Sequence, residues 1–130
     1  MKLSLLVLDE TFAICTLKRD LPLPDWATSS AFYSITRTYD ELSIVCPQSA
    51  IPSGVEINKN WRCMKVQGPL GFSITGILAS ISAPLASEGI SVFVFSSYDT
   101  DHIMVKQYEL EKAIDVLQKT GHTVKYQSGP

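Results

Sequence analysis

From Trp61 onward the spacing of apolar residues switches twice from strand-like to helix-like and back, and this restricts the available folds more than any other feature of the chain. Trp61 to Val66 has the character of a strand, with Cys63 and Lys65 pointing opposite to Met64 and Val66. Gly68-Pro69-Leu70-Gly71 then turns the chain. From Ser73 onward, Ile74, Ile77, Leu78, Ile81 and Leu85 recur at helical spacing and form one apolar stripe, with Gly89 as the stop. Pro84 lies inside that stripe and is expected to kink or loosen the helix, because it removes a backbone N–H. Ile90 to Phe95 is a continuous apolar run, as expected of a strand in the middle of a covered sheet. After a turn over Ser96 to Asp101, His102 to Lys106 reads as another strand. Leu110, Ala113, Ile114 and Leu117 then mark a second amphipathic helix, with acidic residues in its first turn, Lys119 in its last and Gly121 as its stop. His122 to Tyr126 supplies a final strand.

The order β-α-β-β-α-β is the split βαβ of ferredoxin-like α+β folds, a four-stranded antiparallel sheet with both helices on one face. The first half is mostly strand. Residues 3–8 and 12–17 suggest a hairpin turning at Asp9-Glu10-Thr11. Leu21-Pro22-Leu23-Pro24 leads to a short helix over Asp25 to Ser29 with Asp25 as its N-cap. Phe32 to Thr36 and Leu42 to Cys46 flank a polar turn at Tyr39-Asp40-Glu41. We therefore expect two units, 1–60 and 61–130, the first a shorter and degenerate version of the plan of the second.

Several classes of function are disfavoured. Among 130 residues, 11 Lys and Arg face 13 Asp and Glu, and a formal charge of −2 offers no footprint for nucleic acid. The apolar start Met1 to Leu8 is cut short by Asp9 and Glu10 with no small-residue cleavage site after it, and Ile74 to Val94 is broken by Pro84, Glu88 and serines, so no membrane segment is expected. Cys15, Cys46 and Cys63 sit among apolar residues without a C-x-x-C pair, which suggests buried reduced thiols and a cytoplasmic setting. His102 and His122 are the available near-neutral bases, and neither lies in a nucleophile motif. Lys119-Thr120-Gly121 echoes a penicillin-binding-protein triplet without its companions. With no phosphate loop, metal-spaced cluster or dinucleotide fingerprint, the chain reads as a non-enzyme that needs no metal or cofactor.

The ordered set Gly68 to Phe72, Thr75 to Ala86 and Ile90 to Val105 resembles the ACT-domain branch that includes the cytosolic arginine sensors, over about residues 61–125. The first half, with Phe32 to Thr38 and Asp40 to Cys46, resembles the companion domain found ahead of this ACT unit in small bacterial proteins. The resemblance implies a regulatory module that binds a small amino-acid-like ligand, often as a homodimer. Carried over by position, it places ligand contacts on Gly71 and Phe72, on Thr75, Gly76 and Ile77 at the helix start, and on Ser97, Tyr98 and Asp101. The sequence departs from the arginine-sensor pattern at Ser73 and Ile74, where those sensors carry acidic residues, and at Asp99 and Thr100. Recognition of a cationic side chain is thereby disfavoured.

The local chemistry is compatible with such a ligand. A glycine-rich turn opening a helix leaves backbone N–H groups that suit a carboxylate. Asp101 or Asp99 can accept from an ammonium group, while Phe72 and Tyr98 can wall the pocket. Each feature also has a structural explanation. Gly71 can serve a positive φ, Gly76 close packing, Asp101 a turn, and Tyr98 the core. The competing function is a protein–protein interaction module of the same fold that has lost its ligand.

Overall fold

The computed structural model describes residues 1–67 and 75–128. Its elements are β1 (Ser4–Leu17), β2 (Ser34–Arg37), β3 (Leu42–Pro47), β4 (Ile57–Val66), α1 (Ile77–Ser87), β5 (Phe93–Ser96), β6 (Asp101–Lys106), α2 (Leu110–Lys119) and β7 (Thr123–Tyr126). From β4 onward this is the expected β-α-β-β-α-β order. The chain divides into two compact units, Met1–Asp9 with Arg62–Pro130, and Glu10–Trp61.

In the larger unit the strand order is β7, β1, β4, β6, β5. β5 and β6 are antiparallel, Phe93 facing Met104 and Ser96 facing Asp101. β7 lies parallel to β1, Ser4 facing Thr123 and Val7 facing Tyr126, so the start of the chain stands between the last strand and β4. Leu5 and Val7, Met64 and Val66, and Ile103 and Val105 form one period-two face. They are packed with Ile77, Ile81 and Leu85 of α1 and Leu110, Ala113 and Leu117 of α2. Both helices therefore lie on that single face.

The smaller unit has the order β2, β3, β1, all antiparallel, with Phe12 to Leu17 of β1 paired to Pro47 to Leu42 of β3. Its core is Cys15, Ala27, Leu42, Ile44 and Cys46. The turn before β3 is closed by Thr38, whose hydroxyl accepts from the backbone N–H groups of Asp40 and Glu41.

Several sequence expectations are corrected. There is no hairpin at Asp9-Glu10-Thr11, because β1 runs unbroken across it. Its polar centre is satisfied instead: the Asp9 N–H donates to the Gln127 side chain, and the Asp9 carboxylate accepts from the Ser128 N–H and hydroxyl. The segment after Pro24 makes only a 3-10 turn, Asp25–Ala27, with Pro24 and not Asp25 at the N-cap. β4 begins at Ile57, four residues before Trp61. In it Asn60 adopts φ 66°, a left-handed conformation that Asn tolerates better than most residues. The Gln48 side chain fixes it by accepting from the Asn60 N–H at 2.7 Å and donating to Asn60 Oδ1 at 3.2 Å. Leu78, assigned to the apolar stripe, is 41% exposed. β5 is not central but last in the strand order among the described residues. Ser73 and Ile74 lie outside the described residues.

Pro84 does not end or break α1, and the reason lies elsewhere in the chain. The carbonyl deprived of its helical donor is that of Ser80, four residues back. His122 Nε2 donates to it at 2.9 Å, while His122 Nδ1 accepts from the Leu3 N–H at 3.0 Å. A backbone N–H can only donate, so the proton on the ring belongs to Nε2. Gly121 sets the position of that ring. At φ 107° it ends α2 in a Schellman turn, with Gly121 N–H donating to Gln118 and His122 N–H to Leu117.

His122→Ala is expected to cost about 2–4 kcal/mol, since it removes a buried side chain and orphans a half-buried donor and a half-buried acceptor. Adding Pro84→Ala should restore about 1–2 kcal/mol in that background by returning an N–H to Ser80, and less in the wild-type protein. Denaturant unfolding of the four proteins measures the cycle, and strict additivity would refute the pairing of His122 with the proline-freed carbonyl.

Candidate functional site

The predicted ligand residues fall on two described segments and one that is not described. Gly71 and Phe72 lie outside the described residues. Thr75 and Gly76 are exposed at the entry to α1, and Ile77, its first residue, is buried in the core. Gly76 is the N-cap, with φ 79°, and no side chain caps the helix. Its carbonyl accepts from Ser80 N–H at 3.0 Å. A Cβ built on Gly76 would meet nothing within 4 Å, so glycine is needed here for its left-handed backbone and not for close packing. Among the described residues no side chain caps the first N–H groups of α1.

Ser97, Tyr98 and Asp101 are brought together by the β5–β6 hairpin. Ser97 N–H donates to the Thr100 carbonyl at 2.9 Å and its hydroxyl to the same oxygen at 3.2 Å. The Asp101 carboxylate accepts from the Ser96 hydroxyl at 2.5 Å. Tyr98 is 81% exposed at the tip, which excludes it from the core. The Ser97 hydroxyl and the Asp101 carboxylate thus already serve the turn.

The residue that sequence reasoning missed is Thr100, which entered only as a departure from the arginine-sensor pattern. It is buried, and its hydroxyl donates to the Val66 carbonyl at 2.6 Å. This bond ties the hairpin to the last residue of β4, from which the chain leads through 67–74 to Thr75. A lone threonine beside Asp99 and Asp101 reads as part of a polar turn, and only its acceptor on another strand reveals the clasp.

His102 follows Asp101 on β6 and is buried, with its ring stacked on that of Phe95 at 4.9 Å and 5°. Burial, and then the positive charge of Lys65, hold its pKa below the ordinary histidine value, with Asp101 opposing. Among the described residues no group of three or more His, Cys, Asp and Glu side chains is placed to hold a metal ion. No described helix is long and apolar enough to cross a membrane. Clefts of about 380 to 490 Å³ on the described surface are lined by residues other than the predicted ligand contacts.

Comparison with known proteins places this geometry. A family model of ACT domains matches residues 56–119, and a second model, of an N-terminal domain, matches residues 10–54. The chain is similar to the cytosolic arginine sensor for mTORC1 subunit 1 of Rattus norvegicus, at 33% identity over 101 residues, covering 72% of this chain and 30% of the relative. It therefore spans about a third of the length of the arginine sensors it matches. A crystal structure of a protein from Agrobacterium tumefaciens superposes with a TM-score of 0.92 at 41% identity, over 98% of this chain and 95% of that one. The regulatory subunit of aspartate kinase from Thermus flavus shares the fold, with a TM-score of 0.61 at 12% identity over 89% and 95%.

The His102 environment has a pH consequence. The folded protein holds the ring neutral below the value of 6.5 at which an ordinary histidine gains its proton, so the unfolded chain takes up that proton first. Stability should be insensitive to His102 well above that pH, fall as pH drops through it, and level off below the lowered folded value. His102→Phe should flatten this part of a melting-temperature profile between about pH 7 and 5, and an unchanged slope would contradict the assignment.

Proposed function

The chain belongs to the ACT-domain family, in the branch of the cytosolic arginine sensors, and from that premise we propose that it is a non-catalytic, amino-acid-sensing regulatory module. The observation that carries the proposal is the entry to α1. Gly76 turns into the helix with a left-handed backbone and leaves the first N–H groups without a side-chain cap, an arrangement suited to an α-carboxylate.

On this reading the ligand is held by Gly71, Phe72, Thr75, Gly76 and Ile77 on one side and by Ser97, Tyr98 and Asp101 on the other. Thr100 supports the arrangement by fastening the hairpin to the end of β4. Asp101 would meet the ammonium group while keeping the Ser96 hydroxyl as a second partner, since a carboxylate accepts several hydrogen bonds. The absence of acidic residues at Ser73 and Ile74 favours an uncharged ligand side chain over arginine. The proposal extends to a cytoplasmic homodimer of chains, each with two tandem ACT-like units of which the first is degenerate. The position of β5 at the end of the strand order, with Val92 to Phe95 half-buried, supports pairing between copies. The degeneracy of the first unit is supported by its elements, which are strands and 3-10 turns with no α-helix.

One observation favours a second reading, an interaction module without a ligand. The Ser97 hydroxyl and Asp101 are engaged within the hairpin, and Tyr98 projects outward. A thermal-shift screen of the proteinogenic amino acids separates the two. A ligand at about 100 times its dissociation constant should stabilise the protein by roughly 2.7 kcal/mol. Asp101→Ala should abolish that response while leaving a folded protein. No stabilisation by any amino acid at millimolar concentration would overturn the sensor reading and leave the interaction module.

A further inference from the structure

The smaller unit contains a pair of thiols that its sequence spacing conceals. Cys15 lies opposite Ile44 and Cys46 opposite Ala13 in the antiparallel β1–β3 ladder. Residues directly opposite share a face, and so do alternate residues along a strand, so Cys15 and Cys46 stand on one face as diagonal neighbours. Both are buried, at 2% and 0% exposure, in the core that also holds Ala27, Leu42 and Ile44. Neither is in a disulfide. The interaction between the two thiols pushes the pKa of Cys15 up and that of Cys46 down. Cys63 belongs to the other unit.

We propose that Cys15 and Cys46 form a redox modification site, a dithiol that a peroxide converts reversibly into a disulfide joining β1 to β3. Cys46 is the attacking group. The neighbouring Cys15 thiol favours its thiolate and holds its pKa below the usual thiol value against the effect of burial. The same neighbour, with burial, pushes the pKa of Cys15 up, so Cys15 stays protonated. The Cys46 thiolate attacks one peroxide oxygen and the O–O bond breaks, giving a sulfenic acid and hydroxide. The Cys15 sulfur then attacks the Cys46 sulfur, and the S–O bond breaks. The departing hydroxyl leaves as water with the Cys15 proton, while the hydroxide takes up the proton that Cys46 had released. Two thiols and one peroxide thus become one disulfide and two waters, the sulfurs losing the two electrons that the peroxide gains.

The placement also sets the character of the bond. Diagonal neighbours on adjacent strands are about 7–8 Å apart, whereas disulfides span about 4.4–6.8 Å between Cα atoms. Closing the bond must therefore draw the two strands together, and such strained bonds are the ones most readily reduced. Because both sulfurs are buried, peroxide reaches them through local opening of the unit.

The test treats the full chain with hydrogen peroxide, quenches it with a maleimide, and reads intact mass and peptide maps. The proposal expects one maleimide adduct and a mass about 2 Da below that of the singly labelled reduced chain, consistent with one disulfide. It also expects a Cys15–Cys46 linked peptide, alkylation of Cys63 alone, and full reversal by dithiothreitol. Mild denaturant should speed the reaction, and Cys63→Ala should leave it intact. In Cys15→Ala the product should stop at a Cys46 sulfenic acid trapped by dimedone. Recovery of both Cys15 and Cys46 as alkylated thiols, a link involving Cys63, or gain of oxygen without a link would each overturn it. The wild-type peptide map decides the matter even if a variant fails to fold.

Discussion

The larger unit depends on one buried imidazole. A proline inside a helix costs about 3 kcal/mol or more, part of it from the carbonyl left without a donor. Here that carbonyl is Ser80's, and the His122 ring supplies the missing N–H while its other nitrogen accepts from Leu3. One side chain thus joins the middle of α1, the C-terminal turn of α2 and the start of β1. The Leu3 carbonyl takes the Thr123 N–H immediately afterwards, and the parallel β1–β7 ladder follows. The bond that rescues the helix and the bond that starts the ladder are one residue apart on the same turn.

This anchoring bears on the candidate site. An α1 held at its middle presents a fixed N-terminus, and the left-handed Gly76 with its uncapped first turn is useful for recognition only if it does not move. The opposing hairpin is fixed by a separate device, the buried hydroxyl of Thr100 on the Val66 carbonyl. Neither anchor would touch a ligand placed between the predicted residues. Binding groups can therefore vary at Ser97, Tyr98 or Asp101 without disturbing what positions them. The departures at Ser73, Ile74 and Asp99 fit that freedom, whereas Thr100 belongs to the scaffold.

The parts of the fold that were legible in the sequence are those set by local periodicity. Ile77, Ile81 and Leu85, and then Leu110, Ala113 and Leu117, announce their helices because each turn must bury the same face. The position of the hairpin residues Ser97 and Asp101 follows from the strands on either side of them. What was not legible depends on partners distant in sequence. Val92 to Phe95 reads the same at the middle of a sheet or at its end. Pro84 predicts a kink unless a donor arrives from residue 122. The glycine at 76 looks like a close-approach residue until its φ is known. Within the site, the pairing of Ser96 with Asp101 and of Thr100 with Val66 has no local signature.

Polar residues in mid-strand misled for a related physical reason. A strand tolerates Asp9 or Asn60 only where something other than an ordinary ladder meets its polar groups, and both occur where the chain passes from one compact unit to the other. β1 pairs with β7 up to Val7 and with β3 from Phe12. Between these, Asp9 takes its partners from the residues that follow β7, with Gln127 N–H also donating to Val7. In β4 the left-handed Asn60 stands just before the boundary at Trp61, with the Gln48 amide satisfying both its N–H and its side-chain oxygen. A polar residue interrupting an apolar run is thus ambiguous between a turn and a change of ladder partner. The deciding quantity is whether a side chain from elsewhere reaches the exposed backbone group, and at both crossings a glutamine does.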